Sequence, residues 1–273
     1  MQYDPIKKSL GGVFNKTPLL RILFYKLLDL LLLRAWYVRR EIKRWAEDIA
    51  QRRDRRCAIL DAGSGFGQYT YFLSGLNPRW FVDAVDVKKE QIDDCNDFFA
   101  RINRRNVFFE KADLTTFVKP EKFDLILSVD VMEHIAEDEK VFRNFYDSLT
   151  QQGMLLISTP SDQGGSDVHD HEEGSSFIDE HVRDGYNMPD LRKKLERAGF
   201  SKTEAFYTYG TPGKAGWRLS MKYPILMLNV SRLFFILLPF YYIIAYPIAF
   251  FCNWTDTLMH HTSGTGLIVK AWK

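Results

Sequence analysis

Short apolar runs separated by amphipathic stretches organise the middle of this chain, and a long greasy segment lies on either side of it. From Cys57 onward, runs such as Cys57-Ala-Ile-Leu-Asp61 and Phe123-Asp-Leu-Ile-Leu-Ser-Val129 alternate with segments whose apolar residues recur at helical spacing. That alternation marks an α/β fold, a parallel sheet covered by helices. It predicts strands at about 57–61, 81–86, 106–111, 123–129 and 152–158, and further strands at 201–209 and 264–272. Helices are expected at about 67–76, 88–103, 137–149 and 188–198.

The flanking segments read differently. Pro18 to about Ala50 has no internal Pro or Gly, and Arg21, Lys26 and Asp29 punctuate a broad Leu/Ile/Phe face. An amphipathic helix is predicted there. Residues 211–262 contain Leu233 to Cys252, an uncharged run of about 20 residues, long enough to be a candidate membrane span. If 201–209 and 264–272 pair in one sheet, however, the connection must cross a membrane twice or not at all. Pro239 and Pro247 are expected to break the run. The segment is therefore read as a helical hairpin or broken helix that dips into one leaflet or caps a greasy substrate pocket. The plainer alternative is buried core or a contact between copies. Trp217, Tyr241, Tyr242, Tyr246 and Trp254 suit an interfacial setting. The expected organisation is a basic arm at 1–56, a core at 57–210, the hydrophobic insertion at 211–262 and a last strand at 263–273.

Charge sharpens this division. The 273-residue chain has a formal net charge of +2, but residues 1–56 carry fourteen Lys/Arg against six Asp/Glu, and the rest 23 against 29. A basic arm thus leads an acidic body, which suggests an anionic partner such as phospholipid or nucleic acid. Cys57, Cys95 and Cys252 show no metal or disulfide spacing, in keeping with a reducing compartment. The opening MQYDPIKKSLGG lacks the features of a secretory signal.

The chemistry concentrates at Asp61-Ala-Gly63-Ser64-Gly65-Phe66-Gly67, a glycine loop between a strand and a helix. Glycines there permit unusual dihedrals and a close approach of a ligand to the backbone. A dinucleotide fingerprint would need glycine at position 68, which is Gln68. Phe81-Val-Asp-Ala-Val-Asp86 ends in an acid about twenty residues later, where a carboxylate can accept from both hydroxyls of a ribose. Val107-Phe-Phe-Glu-Lys-Ala-Asp113 places another acid past the third strand, and Ser128-Val-Asp130-Val-Met-Glu133-His134-Ile follows the fourth.

Taken together, from about Cys57 to Phe200, these segments resemble the class I S-adenosylmethionine-dependent methyltransferases, in particular the ubiquinone-biosynthesis-like small-molecule O-methyltransferase group. Leu156-Ile-Ser-Thr-Pro160 and Glu180-His-Val-Arg-Asp-Gly-Tyr-Asn-Met-Pro-Asp-Leu support the resemblance. It implies a Rossmann-like, seven-stranded, mostly parallel sheet with an antiparallel last strand, and S-adenosyl-L-methionine across its carboxyl edge. The implied cofactor residues are Asp61, Gly63, Ser64, Gly65 and Gly67 at the loop, Asp86 with Val87 at the ribose, Asp113 with Leu114 at the adenine, and Asp130 near the methionine moiety. The arm and the 211–262 insertion lie outside the common core.

Methyl transfer from a sulfonium needs alignment and desolvation, and a hydroxyl nucleophile also needs a base. Candidates are Glu133, His134, His169, His171 and His181, with Glu133, His134 and His181 preferred as catalytic residues. The ligand-dense stretch His169-Asp-His171-Glu-Glu173 has no spacing that fixes a metal site, so none is assigned. The Asn/Asp-Pro-Pro-Tyr signature of enzymes that methylate exocyclic amines in DNA is absent after the fourth strand, and the 39–56 stretch has no interleaved stacking aromatics. Nucleic acid is therefore disfavoured as partner. The expected partners are a lipophilic small-molecule substrate and a membrane surface, with a homo-oligomer left open, and the expected location is the cytoplasmic side of a membrane, peripheral or monotopic, or otherwise the cytoplasm. Two rivals remain: a non-catalytic cofactor-binding or partner subunit, and a protein or RNA methyltransferase working through the basic arm.

Overall fold

The computed structural model describes residues 17–52, 56–164, 182–231 and 233–273. Seven strands among them form one sheet: β1 (Ala58–Ala62), β2 (Phe81–Asp86), β3 (Val107–Lys111), β4 (Phe123–Val129), β5 (Leu149–Pro160), β6 (Lys202–Thr208) and β7 (Gly266–Trp272). The order across the sheet is β3-β2-β1-β4-β5-β7-β6. The first five strands pair in parallel, and β7 runs antiparallel to both β5 and β6. The expected sheet, with its antiparallel last strand, is what forms. Strand order reverses between β1 and β4, so a crevice opens outside their carboxyl ends.

Nine helices accompany the sheet in the described residues: α1 (Pro18–Leu31), α2 (Leu33–Arg52), α3 (Gln68–Leu76), α4 (Lys89–Arg101), α5 (Asp138–Ser148), α6 (Met188–Ala198), α7 (Thr211–Trp217), α8 (Tyr223–Val230) and α9 (Phe234–Leu258). Alternation along the strands splits the core between two faces. Leu60, Ile126, Leu155 and Val269 pack with Phe142 and Phe145 of α5 and with Leu191 and Leu195 of α6. Ile59, Leu125, Leu127 and Ile268 face the other way, against Tyr37, Val38, Ile42 and Trp45 of α2.

The arm is not one straight helix. Leu32 takes an extended conformation, φ −93° and ψ 108°, and separates α1 from α2. The break lets α2 lie on the sheet while α1 turns to cover the glycine loop and α4. Tyr25 of α1 packs with Ile92, Phe98 and Phe99 of α4.

The insertion is a helical hairpin, as one of the expected forms had it. The chain runs from α7 through a π-helical turn (Arg218–Lys222) into α8, and α9 returns beside it. The two legs come close at Gly216, where a Cβ would stand 2.3 Å from the Asn253 side chain. The expected break at Pro239 and Pro247 does not occur, because α9 continues through both for 25 residues, about 37 Å. Both prolines lie on the exposed side of α9, and an interior proline can bend a helix without ending it. Among the described residues α9 is the one helix long and apolar enough to cross a membrane, judged by length and composition.

Candidate functional site

β1 delivers the chain to the crevice, and the loop from Gly63 to Gly67 turns it back into α3. Gly63, Gly65 and Gly67 have φ values of +83°, +53° and +82°, in the left-handed region that glycine adopts without penalty. Space adds a second demand at Gly63, where a Cβ would lie 2.3 Å from Val131 Cγ2. The N–H groups of Gly63 and Ser64 both donate to the Val85 carbonyl at 2.9 Å, which ties the loop to β2.

Acids surround this turn. Asp86 accepts from the Gly65 N–H and the Lys88 N–H, both at 2.9 Å. Asp61 is buried and accepts from the Thr70 hydroxyl at 2.6 Å; burial pushes its carboxyl up to about 7. Asp113 is exposed, and two hydrogen bonds of 2.8 Å from the N–H and hydroxyl of Thr115 hold it below the usual carboxylate range. Leu114 behind it is buried, and Val87 is exposed. Asp130 follows β4 with φ +51°, unusual for a residue with a side chain, and its N–H donates to the Ser158 carbonyl at 2.8 Å. The loop, Asp86, Asp113 and Asp130 thus follow the carboxyl ends of β1, β2, β3 and β4, strands adjacent in the sheet.

Several polar groups here went unnoticed in the sequence because they come from the flanking segments. Arg21, only 4% exposed, donates to the Phe66 carbonyl at 2.8 Å and to the Asp94 carbonyl at 3.1 Å. The Tyr25 hydroxyl donates to the same Phe66 carbonyl at 2.5 Å. Gln68 donates to Asp29 at 2.9 Å, and Asp29 is ion-paired with Arg39. Arg34 is ion-paired with Asp130, and its backbone N–H donates to the Tyr209 hydroxyl at 2.9 Å. The arm's charge was read as directed outward, yet Arg21, Arg34, Arg39 and Arg40 are spent on internal partners. A sequence count of charge does not see this, because the partners lie on distant segments.

The catalytic candidates separate by burial. Glu133 sits in a 3-10 turn (Met132–His134), is buried, and accepts from the Thr159 hydroxyl at 3.0 Å. Burial raises the pKa of its carboxyl. His134 is exposed. His169, His171 and His181 lie outside the described residues. Within the described residues no group of three or more His, Cys, Asp or Glu is arranged to hold a metal.

Residues 60–155, which contain the loop and the acids above, match a family model described as a methyltransferase domain. That segment is a methyltransferase domain, and it is similar to the class I S-adenosylmethionine-dependent methyltransferases. Among curated relatives it is similar to malonyl-[acyl-carrier protein] O-methyltransferase of Bacillus anthracis, 29% identical over 133 residues, covering 46% of this chain and 48% of the relative. It is also similar to the ubiquinone biosynthesis O-methyltransferase of Glaesserella parasuis, 26% identical over 107 residues, 37% of this chain and 44% of that one. The matches therefore span about half the length of these relatives. Among solved structures, Haemonchus contortus phosphoethanolamine N-methyltransferase 2 in complex with S-adenosyl-L-methionine shares the fold, with a TM-score of 0.56 and 17% identity over 81% of this chain and 49% of that one.

S-adenosylmethionine is the cofactor of that class, and the residues of this domain fit it. The hydroxyls of Ser64 and Ser128, at the carboxyl ends of β1 and β4, are buried with no hydrogen-bond partner among the described residues. Buried hydroxyls in that state suit a polar ligand. The left-handed loop leaves backbone bare for close approach, and Asp86 keeps acceptor capacity for hydroxyls beyond its two backbone donors.

Proposed function

We propose that this methyltransferase moves the methyl group of S-adenosyl-L-methionine to a lipophilic small-molecule acceptor, of the quinone-precursor, phenolic or lipid kind, at a membrane surface. One observation carries the acceptor class: α1 is an amphipathic helix turned inside out. Its polar residues Arg21 and Tyr25 point inward to the cofactor loop, and Leu19, Leu23, Leu27 and Leu30 are 75%, 48%, 38% and 41% exposed. These leucines recur every three or four residues and so form one row. The row adjoins the hairpin, whose Tyr246 and Ser220 hydroxyls donate to the Leu30 and Leu31 carbonyls at 3.5 and 3.4 Å. The hairpin exposes Ile236, Phe240, Ile243 and Ile244 as well. Single exposed apolar side chains are ordinary, but a continuous apolar surface of this extent marks a site of interaction. An acceptor dissolved in a bilayer would meet the cofactor loop from beneath α1.

In this reading Gly63, Ser64, Gly65 and Gly67 cradle the cofactor, with Asp61 supporting the turn. Asp86 and Val87 hold the ribose, Asp113 and Leu114 the adenine, and Asp130 the methionine end. When bound, the cofactor supplies an electrophilic methyl on a sulfonium. Glu133 takes the proton of a hydroxyl acceptor, since its carboxyl is buried and its raised pKa makes it a better base than an ordinary glutamate. His134, exposed at the same turn, is the weaker candidate.

Incubation with radiolabelled cofactor and separate lipid, protein and RNA fractions tests the proposal. Label is expected in the lipid fraction. Label confined to protein or RNA would overturn the acceptor class, and tight cofactor binding with no label anywhere would favour a non-catalytic cofactor-binding subunit.

A further inference from the structure

The outer face of α2 carries an open groove of about 380 Å³ lined by Trp36, Arg39, Arg40, Lys43, Arg44 and Glu47. Four of the six lining residues are cationic. Beneath them Glu41, 1% exposed, is shared by Arg40, Arg44 and Lys270 at 3.2, 3.0 and 3.1 Å, and Arg39 is paired with Asp29. Lys270 is also paired with Glu204 at 3.0 Å, so it is Arg40 and Arg44 that outnumber the buried Glu41 carboxylate on the groove side. Lys43 and Arg44 are exposed at the rim, where they add positive charge that the groove's own Glu47 only partly offsets.

The groove is continuous with the apolar hairpin. The Trp36 ring, one wall of the groove, meets Phe250 of α9 edge-on at 5.0 Å between centroids. The Arg40 guanidinium donates to the Thr257 carbonyl at 2.6 Å, which fixes the cations beside the base of α9. From Phe250 the hairpin runs on to its tip at Leu233, 75% exposed and about 26 Å away along the helix. That length is close to the thickness of a bilayer's hydrocarbon core, about 30 Å. A hairpin placed in the apolar layer would hold the groove at headgroup depth, with Trp254, 48% exposed, at the same level.

We propose that this groove binds the phosphodiester of an anionic glycerophospholipid. The inference rests on the membrane reading above and names the lipid class that the membrane must supply. Arginine and lysine around an aromatic wall match a phosphate on an apolar tail, and a soluble anion would have no use for the adjoining hairpin. The occupant's headgroup sits against Lys43 and Arg44, and its acyl chains lie along Trp36 and Phe250.

The test is co-sedimentation of the full chain with phosphatidylcholine vesicles, with and without phosphatidylglycerol. The wild type is expected to bind both and to bind the anionic vesicles more tightly. Lys43→Gln combined with Arg44→Gln should remove on the order of tenfold in affinity for the anionic vesicles and leave phosphatidylcholine binding unchanged. Equal wild-type binding to both vesicles would overturn the headgroup site while leaving the membrane reading intact. Binding to neither would overturn both. A double variant that folds, as its melting curve shows, and keeps the full anionic preference would remove the site from this groove. Displacement of the anionic vesicles by an RNA oligomer that binds the wild type more tightly and the double variant more weakly would assign the groove to nucleic acid instead.

Discussion

Arg34 of α2 is ion-paired with Asp130, the residue that leaves β4 with φ +51°. A helix outside the matched segment 60–155 thereby places a guanidinium at the carboxyl edge of the sheet, close to Tyr69 and Glu133. A planar fork of donors in that position suits a carboxylate, such as the one a methionine moiety carries. Arg34→Gln is expected to weaken S-adenosylmethionine binding by on the order of tenfold, read by titration calorimetry. Both side chains are about a third exposed, 30% and 32%, so the cost to folding should be only about 1 kcal/mol. Unchanged affinity in a folded variant would take Arg34 out of the cofactor site.

Gly63→Ala separates two demands on one position. The left-handed φ of +83° costs an alanine about 1–2 kcal/mol, and the new Cβ collides with Val131 Cγ2. The single variant should melt lower and bind cofactor poorly. Adding Val131→Ala should recover the part due to collision and leave the part due to φ. Full recovery in the double variant would mean that the backbone conformation at Gly63 carries no cost.

Much of this architecture was legible in the residue pattern. The strand expected at 123–129 is β4, and those expected at 57–61 and 81–86 match β1 and β2 to within a residue. Buried parallel strands leave such traces, because short apolar runs bounded by turn residues have few other uses. The cofactor loop was legible for a similar reason, since its glycines are required by φ itself. The orientation of α1 was not. Arg21, Tyr25 and Asp29 recur every four residues and reveal a polar stripe, but periodicity does not say which stripe faces the protein. Here the polar one does, and its partners on Phe66, Asp94 and Gln68 lie far along the chain. The break at Leu32 was equally silent, because no Pro or Gly marks it and leucines flank it on both sides.

Asp61 should give the stability of the protein an unusual pH dependence. Burial raises its carboxyl in the folded state to about 7, from 3.8 as the ordinary value. Between those values the folded state binds more protons than the unfolded one, so stability falls as pH rises. The contribution is fully present below about pH 4 and is lost as pH climbs through about 7, with a slope of at most about 1.4 kcal/mol per pH unit. Urea unfolding from pH 5 to about 8 should show this decline in the wild type. Asp61→Asn keeps an acceptor for the Thr70 hydroxyl and should flatten the decline. An identical slope in the variant would assign it to other groups.

Asp256 anchors the hairpin, and its replacement should loosen that element alone. The side chain is fully buried and accepts from the Gly213 N–H at 2.9 Å and the Tyr37 hydroxyl at 2.8 Å, with His261 at 3.3 Å. It therefore joins both legs of the hairpin to α2. In Asp256→Ala the Gly213 N–H is left buried without this acceptor, whereas Tyr37 still reaches the Asp256 backbone carbonyl at 2.7 Å. The expected cost is about 1–3 kcal/mol. Hydrogen exchange should rise in α7 and the last turns of α9. Exchange in the Gly63–Gly67 loop and cofactor affinity should stay as in the wild type, because Arg21 and Tyr25 hold that loop without the hairpin. Asp256→Asn, which can still accept from Gly213, should restore most of the protection. Loss of cofactor binding in a folded Asp256→Ala variant would show instead that the hairpin and the cofactor loop form one cooperative unit.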